Sequence, residues 1–405
     1  MNSKRIFSLT VLVAALGYFV DIYDLLLFNI VRVDSLKDLG LSPAQVKSEG
    51  EFIISIQMIG LLVGGILWGV LGDKRGRLSV LFGSIILYSV ANIVNGFVVT
   101  VNQYALVRFI AGVGLAGELG AGITLVSELV GKEKRGISTS LVSGIGILGA
   151  VVAYFISKNF DWRICYFIGG GLGICLLLLR ISVFESNMFE DLKASGVSRG
   201  NFFMLFNNGK RLKKYLLMIL IGLPTWYTIG ILVAFSNNFA HEMGFTEEIL
   251  PKKSTMYAYV AAAISGMAIG LLSNWWKSRK KALYLFFVIE FIGIVLYFQQ
   301  ARFEGNYMYL ICGVLGLATG YWSIFVTMSA ELFGTNLRAT ATTTIPNMVR
   351  GALPLMLLLF NGLQSFTHDY LRAGWITGMI ILSLAVIATW LTEETFGRDL
   401  NFVEE

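Results

Sequence analysis

The sequence predicts an all-α membrane protein whose twelve transmembrane helices form two pseudo-symmetric bundles of six. Of its 405 residues, 56% are hydrophobic and only 14% are charged, and the mean hydropathy of +0.70 is too high for a soluble globular domain. Twelve apolar runs are long enough to cross a bilayer as helices. One charged motif occurs twice, about half the chain apart, which indicates two related halves.

The apolar runs give the order of the elements. They lie near residues 8–31, 52–71, 79–99, 104–127, 138–157, 163–182, 215–236, 255–274, 282–299, 307–329, 340–363 and 373–391. The first run follows Lys4 and Arg5, like a secretory signal peptide, but it continues past Phe28 without a small-residue cleavage site. We therefore interpret it as an uncleaved first span.

Basic residues mark alternate loops, at residues 74–77, 132–135, 210–214 and 277–281. This distribution follows the positive-inside rule and places these loops and both termini in the cytoplasm, as expected for a bacterial inner (plasma) membrane protein. In a soluble protein the net charge of +6 would suggest a nucleic-acid partner. Here the excess of positive charge lies in the cytoplasmic loops. We therefore expect a lipid bilayer around the chain and no nucleic-acid partner.

Cysteine and histidine give no sign of a metal site. Cys165, Cys175 and Cys312 lie in apolar runs without ligand spacing, so neither a metal site nor a disulfide framework is indicated. His241 and His368 fall in predicted outer loops, where solvated side chains are expected rather than ligands or proton relays. No span combines a nucleophile with a base. We expect no cofactor and no enzymatic activity.

The chain divides into residues 1–182, a polar connecting segment at 183–213, and residues 214–405. The connecting segment is weakly amphipathic and suits the inner membrane surface. The segment Glu128–Arg135 in the first half recurs in the second half as Glu331–Arg338, with both terminal charges and the Gly retained. Duplicated halves with a binding site between them are typical of alternating-access transporters.

The most specific pattern lies between the second and third spans. Gly65, Gly69 and Gly72 have helical spacing and leave one helix face bare for a neighbouring helix, and Asp73 and Arg77 follow. The pattern resembles the cytoplasmic loop signature of the major facilitator superfamily, whose fold has twelve helices in two bundles. The resemblance implies a cytoplasmic gate. Its members would be Gly69, Asp73, Arg77, Glu128, Arg135, Glu331 and Arg338.

Two further motifs resemble the metabolite and sugar symporter branches of that superfamily. Residues 161–189 are similar to their W-R…R…E-S-P-x-F pattern, with Asn187 in place of the usual proline. Residues 394–400 resemble their E-T-x-G-R-x-L ending. The fifth span, in contrast, lacks the Gly-Pro element of drug/proton antiporters, which disfavours export by antiport.

The first and eleventh spans resemble those of anion symporters. Residues 17–24 are similar to the acidic first-helix motif of phosphate, sialate and aromatic-acid proton symporters, and residues 338–354 to the eleventh helix of organic-acid symporters, with Pro354 nearer the arginine than usual. The resemblance implies that Glu118, at the position of the fourth-helix acid, contributes to a proton path or contacts a cation. The surrounding glycines require only close helix packing.

Asp24 and Arg108 are predicted to meet inside the membrane. Asp24 lies about 12 Å below the outer end of its helix and Arg108 about 9 Å below the same surface, from a rise of about 1.5 Å per residue. Such a pair resembles the protonation site of proton-coupled members of that superfamily. Burial favours the neutral acid and Arg favours the carboxylate, so a small structural change can move the proton. A static ion pair is the alternative. Asp21, one turn earlier, is either a second cavity carboxylate or a hydrogen-bonded interior acid.

Arg350 is the predicted substrate residue. Twelve residues after Arg338, it lies about 18 Å deep, near the bilayer midplane, where a guanidinium requires an anion. That anion is either a carboxylate substrate, which fits the donor fork, or a buried acid such as Asp21. Four aromatic residues are weaker candidates for the cavity wall, since membrane aromatics often serve only in packing: Trp226, Tyr227, Tyr321 and Trp322.

The sequence therefore predicts a monomeric proton-coupled symporter that imports a small anionic metabolite by alternating access. Three alternatives stay open: a uniporter, an exporter on the same fold, and a transport-inactive membrane sensor. The identity of the metabolite is not predicted. Glu290, in the middle of the ninth span, is also unassigned, with a partner helix, a bound cation or a neutral protonated form as the alternatives.

Overall fold

Every regular element of the protein is helical within residues 9–131, 134–179, 200–299 and 305–404, which the computed structural model describes. Twelve segments of this part are long and apolar enough to cross a membrane, in agreement with the prediction. We number them spans 1 to 12 in chain order. Residues 183–199 of the connecting segment, and the motif positions Arg180 and Glu185–Phe189, lie outside the described residues.

The α-helices are Leu9–Asp38, Pro43–Arg75, Arg77–Asn95, Val101–Leu115, Glu118–Leu129, Arg135–Asn159, Trp162–Leu179, Gly209–Tyr227, Ser236–Glu242, Pro251–Trp275, Arg279–Phe298, Gly305–Thr319, Trp322–Leu332, Arg338–Gly351, Leu353–Thr367 and Tyr370–Leu391. Phe202–Leu205 forms a short 3₁₀-helix and Thr228–Val233 a π-helical turn.

Several helices extend beyond the apolar runs that predicted them. Span 2 begins at Pro43 rather than near residue 52. Its first turn is stabilised because the Gln45 side chain accepts a hydrogen bond from the Ser42 amide, at 3.0 Å, and because Pro43 needs no amide donor at this position. Hydropathy identifies only the part of a helix that lies in lipid, so such polar ends are missed.

Spans 4, 7, 10 and 11 are interrupted. Span 4 breaks at Gly117, span 10 at Gly320 and span 11 at Ala352, while span 7 changes to π-helical geometry over Thr228–Val233. Glycine is a poor helix former, and Pro354 after the break in span 11 removes an amide donor. These breaks place side chains of spans 7, 10 and 11 around the centre of the molecule.

Two seams join the first six spans to the last six. Span 2 packs against span 11, and span 5 packs against span 8. Gly69 explains the first seam, because a Cβ at this position would lie only 3.1 Å from the Cα of Thr340. The bare helix face predicted for span 2 therefore contacts the other half.

Candidate functional site

A small cavity of about 30 Å³ lies between the halves at the interrupted spans. Its aromatic wall comes from Tyr18 of span 1, Trp226 of span 7, Tyr259 of span 8 and Trp322 of span 10. Arg350 of span 11 is the charged residue of the lining. The cavity thus combines four aromatic side chains with one guanidinium at the interface of the two halves.

Arg350 is almost completely buried, at 1% exposure. Its guanidinium carbon lies 5.9 Å from the ring centre of Trp226 and 5.8 Å from that of Trp322, close enough for cation–π attraction. Its Nη1 donates to Asn347 Oδ1 at 3.2 Å, and its Nε has no hydrogen-bond partner. The buried ion pairs of the described chain are formed between carboxylates and arginines other than Arg350. Arg350 therefore retains donor capacity toward the cavity.

Two of the predicted aromatic residues lie elsewhere. The Tyr227 hydroxyl donates to the carbonyl of Gly374 in span 12, at 2.8 Å. The Tyr321 hydroxyl donates to the carbonyl of Ile221 at 3.0 Å and accepts from the Thr225 amide at 3.2 Å. Both side chains thus pack inside the second half, behind the cavity wall that their neighbours form.

The structure brings Asp24 and Arg108 together. Both are fully buried, and Arg108 Nη1 lies 2.8 Å from Asp24 Oδ1. Nη2 donates to the Asp24 carbonyl at 3.1 Å. The same guanidinium donates to Gln57 Oε1 and Asn92 Oδ1, each at 3.3 Å, and lies 5.5 Å from the ring centre of Tyr166. Polar neighbours can hold Arg108 in place when the acid changes its charge.

Asp21 and Glu118 are also buried, at 0% and 1% exposure. Asp21 lies one turn before Asp24 and one turn after the cavity residue Tyr18 on the helix Leu9–Asp38. Its position on the helix is therefore between the Asp24–Arg108 pair and the cavity. Glu118 begins the second helix of span 4. Neither residue belongs to the described lining of the cavity.

On the side of the basic loops, which we call the basic face, two buried glutamates link the halves. Glu128 Oε1 lies 2.8 Å from Arg77 Nη2 of the same half and 3.1 Å from Arg338 Nη1 of the other. In the second half, Glu331 Oε1 lies 2.9 Å from Arg279 Nη2 and 3.4 Å from Arg135 Nη1 of the first half. We call these six residues the charge network. Each glutamate makes one of these ion pairs within its half and one across the interface.

Asp73 adds a third cross-half contact on the basic face. Its carboxylate accepts the backbone amides of Ala339 at 3.1 Å and Thr340 at 2.8 Å, at the start of the helix Arg338–Gly351. The positive end of that helix dipole favours the negative charge. Arg77 Nη2 lies 3.6 Å away on the other side of the carboxylate.

The tail, residues 392–404 after span 12, packs against the charge network. The Thr395 hydroxyl donates to Glu331 Oε2 at 2.8 Å. Partial burial would raise the pKa of Glu394, but donation from the Ser278 hydroxyl and from the amides of Arg279, Phe396 and Lys280 outweighs it, so this pKa lies below its usual value. The tail is therefore anchored by an ionised carboxylate at neutral pH.

Other contacts join the halves on the opposite face. Arg32 of span 1 is buried and donates to the carbonyl of Ala234, just after the π-helical turn, at 3.0 Å. Its guanidinium also lies over the ring of Phe235, at 4.5 Å. Lys252 Nζ lies 3.0 Å from Asp34 Oδ2. The central cavity is thus closed by contacts on both sides.

Three contributors were missed in the sequence. Arg279 was overlooked, although residues 270–279 are a degraded copy of Gly69–Arg77 that ends in this arginine, and that correspondence was the available signal. Tyr18 has a weaker signal, since it lies one turn before Asp21 on the same helix. Tyr259 has none, because an aromatic residue in an apolar helix does not reveal which way it faces.

Comparison with known proteins shows the family to which the chain is similar. A sequence profile of the Major Facilitator Superfamily matches residues 14–353. The niacin transporter NiaP of Acinetobacter baylyi is 25% identical over 435 aligned positions, covering 96% of this chain and 95% of that protein. The 3-(3-hydroxy-phenyl)propionate transporter of Escherichia coli is 27% identical, with 84% of each chain covered.

A solved structure also matches the architecture. The proton:xylose symporter XylE, bound to 6-bromo-6-deoxy-D-glucose, superimposes with a TM-score of 0.79 at 17% sequence identity. The alignment covers 99% of this chain and 98% of that protein. At this identity the likeness concerns the fold.

Proposed function

The chain belongs to the major facilitator superfamily and is a multi-pass membrane transporter of small metabolites, and we propose that it imports an organic anion together with protons. We place the basic face and both termini in the cytoplasm, following the positive-inside rule, in a bacterial inner membrane. We also propose that the monomer is the working unit, since one chain supplies both halves of the cavity.

Arg350 carries the proposal that the substrate is an anion. A buried guanidinium is costly in a membrane unless a counter-charge balances it. The described carboxylates in fully buried ion pairs are held by other arginines, whereas Arg350 retains an Nε without a hydrogen-bond partner beside the cavity. A substrate carboxylate can accept two parallel bonds from this fork.

The rest of the lining favours a carboxylate with an aromatic or apolar body. Trp226 and Trp322 flank Arg350, and Ile22 and Ile147 complete the wall. Flat rings pack well between aromatic side chains. Niacin and 3-(3-hydroxy-phenyl)propionate, the compounds named for two relatives, both combine an aromatic ring with a carboxylate.

Asp24 and Arg108 support proton coupling. Protonation of Asp24 removes the charge that holds Arg108 at 2.8 Å, while Gln57 and Asn92 still accept from the guanidinium. Span 1 carries both Asp24 and the cavity residue Tyr18, about 9 Å apart along the helix. A change at the pair can therefore move a wall of the cavity.

Substrate entry requires the halves to separate. The cavity of about 30 Å³ has the volume of about one water molecule, and a metabolite needs several times more space. We propose that the charge network and Asp73 close the basic face, and that Arg32 and the Asp34–Lys252 pair close the opposite face. Opening one set while the other stays closed gives alternating access.

Thermal unfolding with a panel of metabolites tests the substrate class. Ligands that bind the folded protein raise its apparent stability by mass action, so we expect aromatic carboxylates to raise the melting temperature and their neutral amides to leave it unchanged. The best ligand is then assayed in proteoliposomes with an imposed pH gradient. Accumulation that collapses with an uncoupler supports symport, whereas equilibration without accumulation favours a uniporter. Binding without flux favours a sensor.

A further inference from the structure

Glu290 of span 9 is a buried acid that the proposed transport mechanism does not use. Its side chain has 0% exposure. The Thr228 hydroxyl donates to Glu290 Oε1 at 2.8 Å, while Oε2 has no hydrogen-bond partner in the described chain. This carboxyl thus has one neutral donor in an apolar interior.

The groups that face Glu290 carry no positive charge. Tyr227 of span 7 and Tyr321 of span 10 are the titratable side chains that interact with it electrostatically, and both hydroxyls already donate to backbone carbonyls. Spans 8 and 12 also pack against span 9. Among the described residues, neither these two spans nor span 9 itself adds a charged or titratable group that acts on this carboxyl. An ionised carboxylate without a cation is costly to bury, and a protonated one is far less so.

The partner of Glu290 lies at a sensitive place in span 7. Thr228 is the first residue of the π-helical turn that ends at Val233, a rare geometry that often marks functional sites. Trp226 and Ile229, on either side of Thr228, line the central cavity. One face of this segment therefore contacts the substrate space, and the Thr228 hydroxyl fixes the other face to Glu290.

We infer that Glu290 is a second proton-binding site, which holds its proton while the cavity is closed and releases it when the Thr228–Val233 segment moves. Release breaks the O–H bond of the carboxyl, whose electron pair stays on the carboxylate, and the proton forms a new O–H bond with a water molecule. The carboxylate that remains must be solvated, and water can reach it only when the packing of spans 7 and 9 opens. Proton occupancy at Glu290 and the position of this cavity wall are therefore linked. The inference does not depend on proton-driven uptake, because its tests need no substrate.

Infrared spectroscopy of the purified protein in lipid tests the protonation. We expect the parent at neutral pH to show a carbonyl stretch from a protonated carboxylic acid, which is lost in Glu290→Gln. The exposed loop residue Glu248 gives the matched control, and Glu248→Gln should retain the band. A parent band of unchanged intensity in Glu290→Gln overturns the inference.

A second variant keeps the test decisive if Glu290→Gln fails to fold. Thr228→Val retains the acid and removes its one hydrogen-bond donor. A protonated Glu290 should then show its carbonyl stretch at higher frequency, as for a carbonyl that accepts no hydrogen bond. An unshifted band in Thr228→Val means that the band does not come from Glu290 and counts against the assignment.

Hydrogen–deuterium exchange tests the link to helix movement. At alkaline pH, where the parent carboxyl is ionised, we expect amides of residues 228–242 to exchange faster in the parent than in Glu290→Gln, whose neutral amide mimics the protonated acid. At acidic pH the two proteins should exchange alike. Equal exchange at both pH values would contradict the link, whatever the outcome of transport assays.

Discussion

Asp73 and Thr340 connect the two halves by a double contact: one carboxylate oxygen of Asp73 accepts the backbone amide of Thr340 at 2.8 Å and its hydroxyl at 2.7 Å. Asp73 ends the glycine-faced helix of span 2, and Thr340 begins span 11. The carboxylate thus acts as an N-terminal cap for a helix of the other half. Separation of the halves at the basic face must break this cap.

We predict that Asp73→Asn shifts the protein toward states open at the basic face and slows transport. A hydrogen bond to a charged group contributes about 1.5–3 kcal/mol, so the open fraction should rise by about tenfold or more. Folding should change little, since the lost bonds join the halves. Spin labels at Lys74→Cys and Lys277→Cys, in a cysteine-free background, measure the separation.

The exposed residue Asp399 serves as the control. Asp399→Asn removes a carboxylate on the same face that accepts a local hydrogen bond from the Asn401 amide. We expect its label distances to match those of the parent. Distances that do not lengthen in Asp73→Asn would show that the cap does not hold the gate.

Gly120→Ala should also oppose closure, by steric means. A Cβ at Gly120 of span 4 would lie 2.4 Å from the Cα of Thr343 in span 11, so one of the two backbones must move. Overpacking of this kind costs about 1–3 kcal/mol, and we expect slower transport with a longer distance between the same two labels. Gly171→Ala is the matched control, because a Cβ there meets no atom within 4 Å. Equal transport rates for the two variants would contradict the prediction.

Asp24→Asn should abolish proton-driven accumulation and spare the exchange of preloaded substrate. The amide cannot take up and release the proton, but it can keep the transporter in the neutral state that exchange requires. Counterflow and gradient-driven uptake in the same proteoliposomes separate the two. Asp38→Asn, on the same helix but 49% exposed and paired with Arg163 of the same half, should retain accumulation, since surface ion pairs contribute little. Accumulation that survives in Asp24→Asn at neutral pH would exclude this residue as the coupling site.

The sequence predicted the architecture well because a bilayer restricts it. Spanning length and internal hydrogen bonding leave few alternatives to a helix, so twelve apolar runs became twelve spans. Membership of the major facilitator superfamily, predicted from the pattern around Gly69 and Asp73, is confirmed. Helix ends were predicted less well, as at Pro43, because polar turns beyond the lipid leave no hydropathy signal.

The site was predicted unevenly, for physical reasons. The depth of a residue below the membrane surface can be calculated from its position in the helix. For this reason Asp24 was expected to meet Arg108. Orientation about the helix axis cannot be derived from an apolar run, because successive residues point about 100° apart and hydropathy does not show which of them faces the cavity. Trp226 and Trp322 line the cavity, whereas Tyr227 and Tyr321 lie behind it. Substrate class, proton coupling and the gate stay predictions.

The substitution Arg350→Lys should weaken binding of the best anionic ligand by about 10–100-fold, since an ammonium keeps the charge but loses one charge-assisted bond of the fork, worth about 1.5–3 kcal/mol. Arg350→Ala should abolish binding while the protein still folds and reaches the membrane, because no described ion pair is left with an unbalanced carboxylate. Calorimetric titration of purified protein measures both. Arg372→Lys, at a side chain 66% exposed, should bind as the parent does. A best ligand that is neutral or cationic, or an Arg350→Ala variant with parental affinity for the anion, would make Arg350 a structural residue and remove the basis for an anionic substrate.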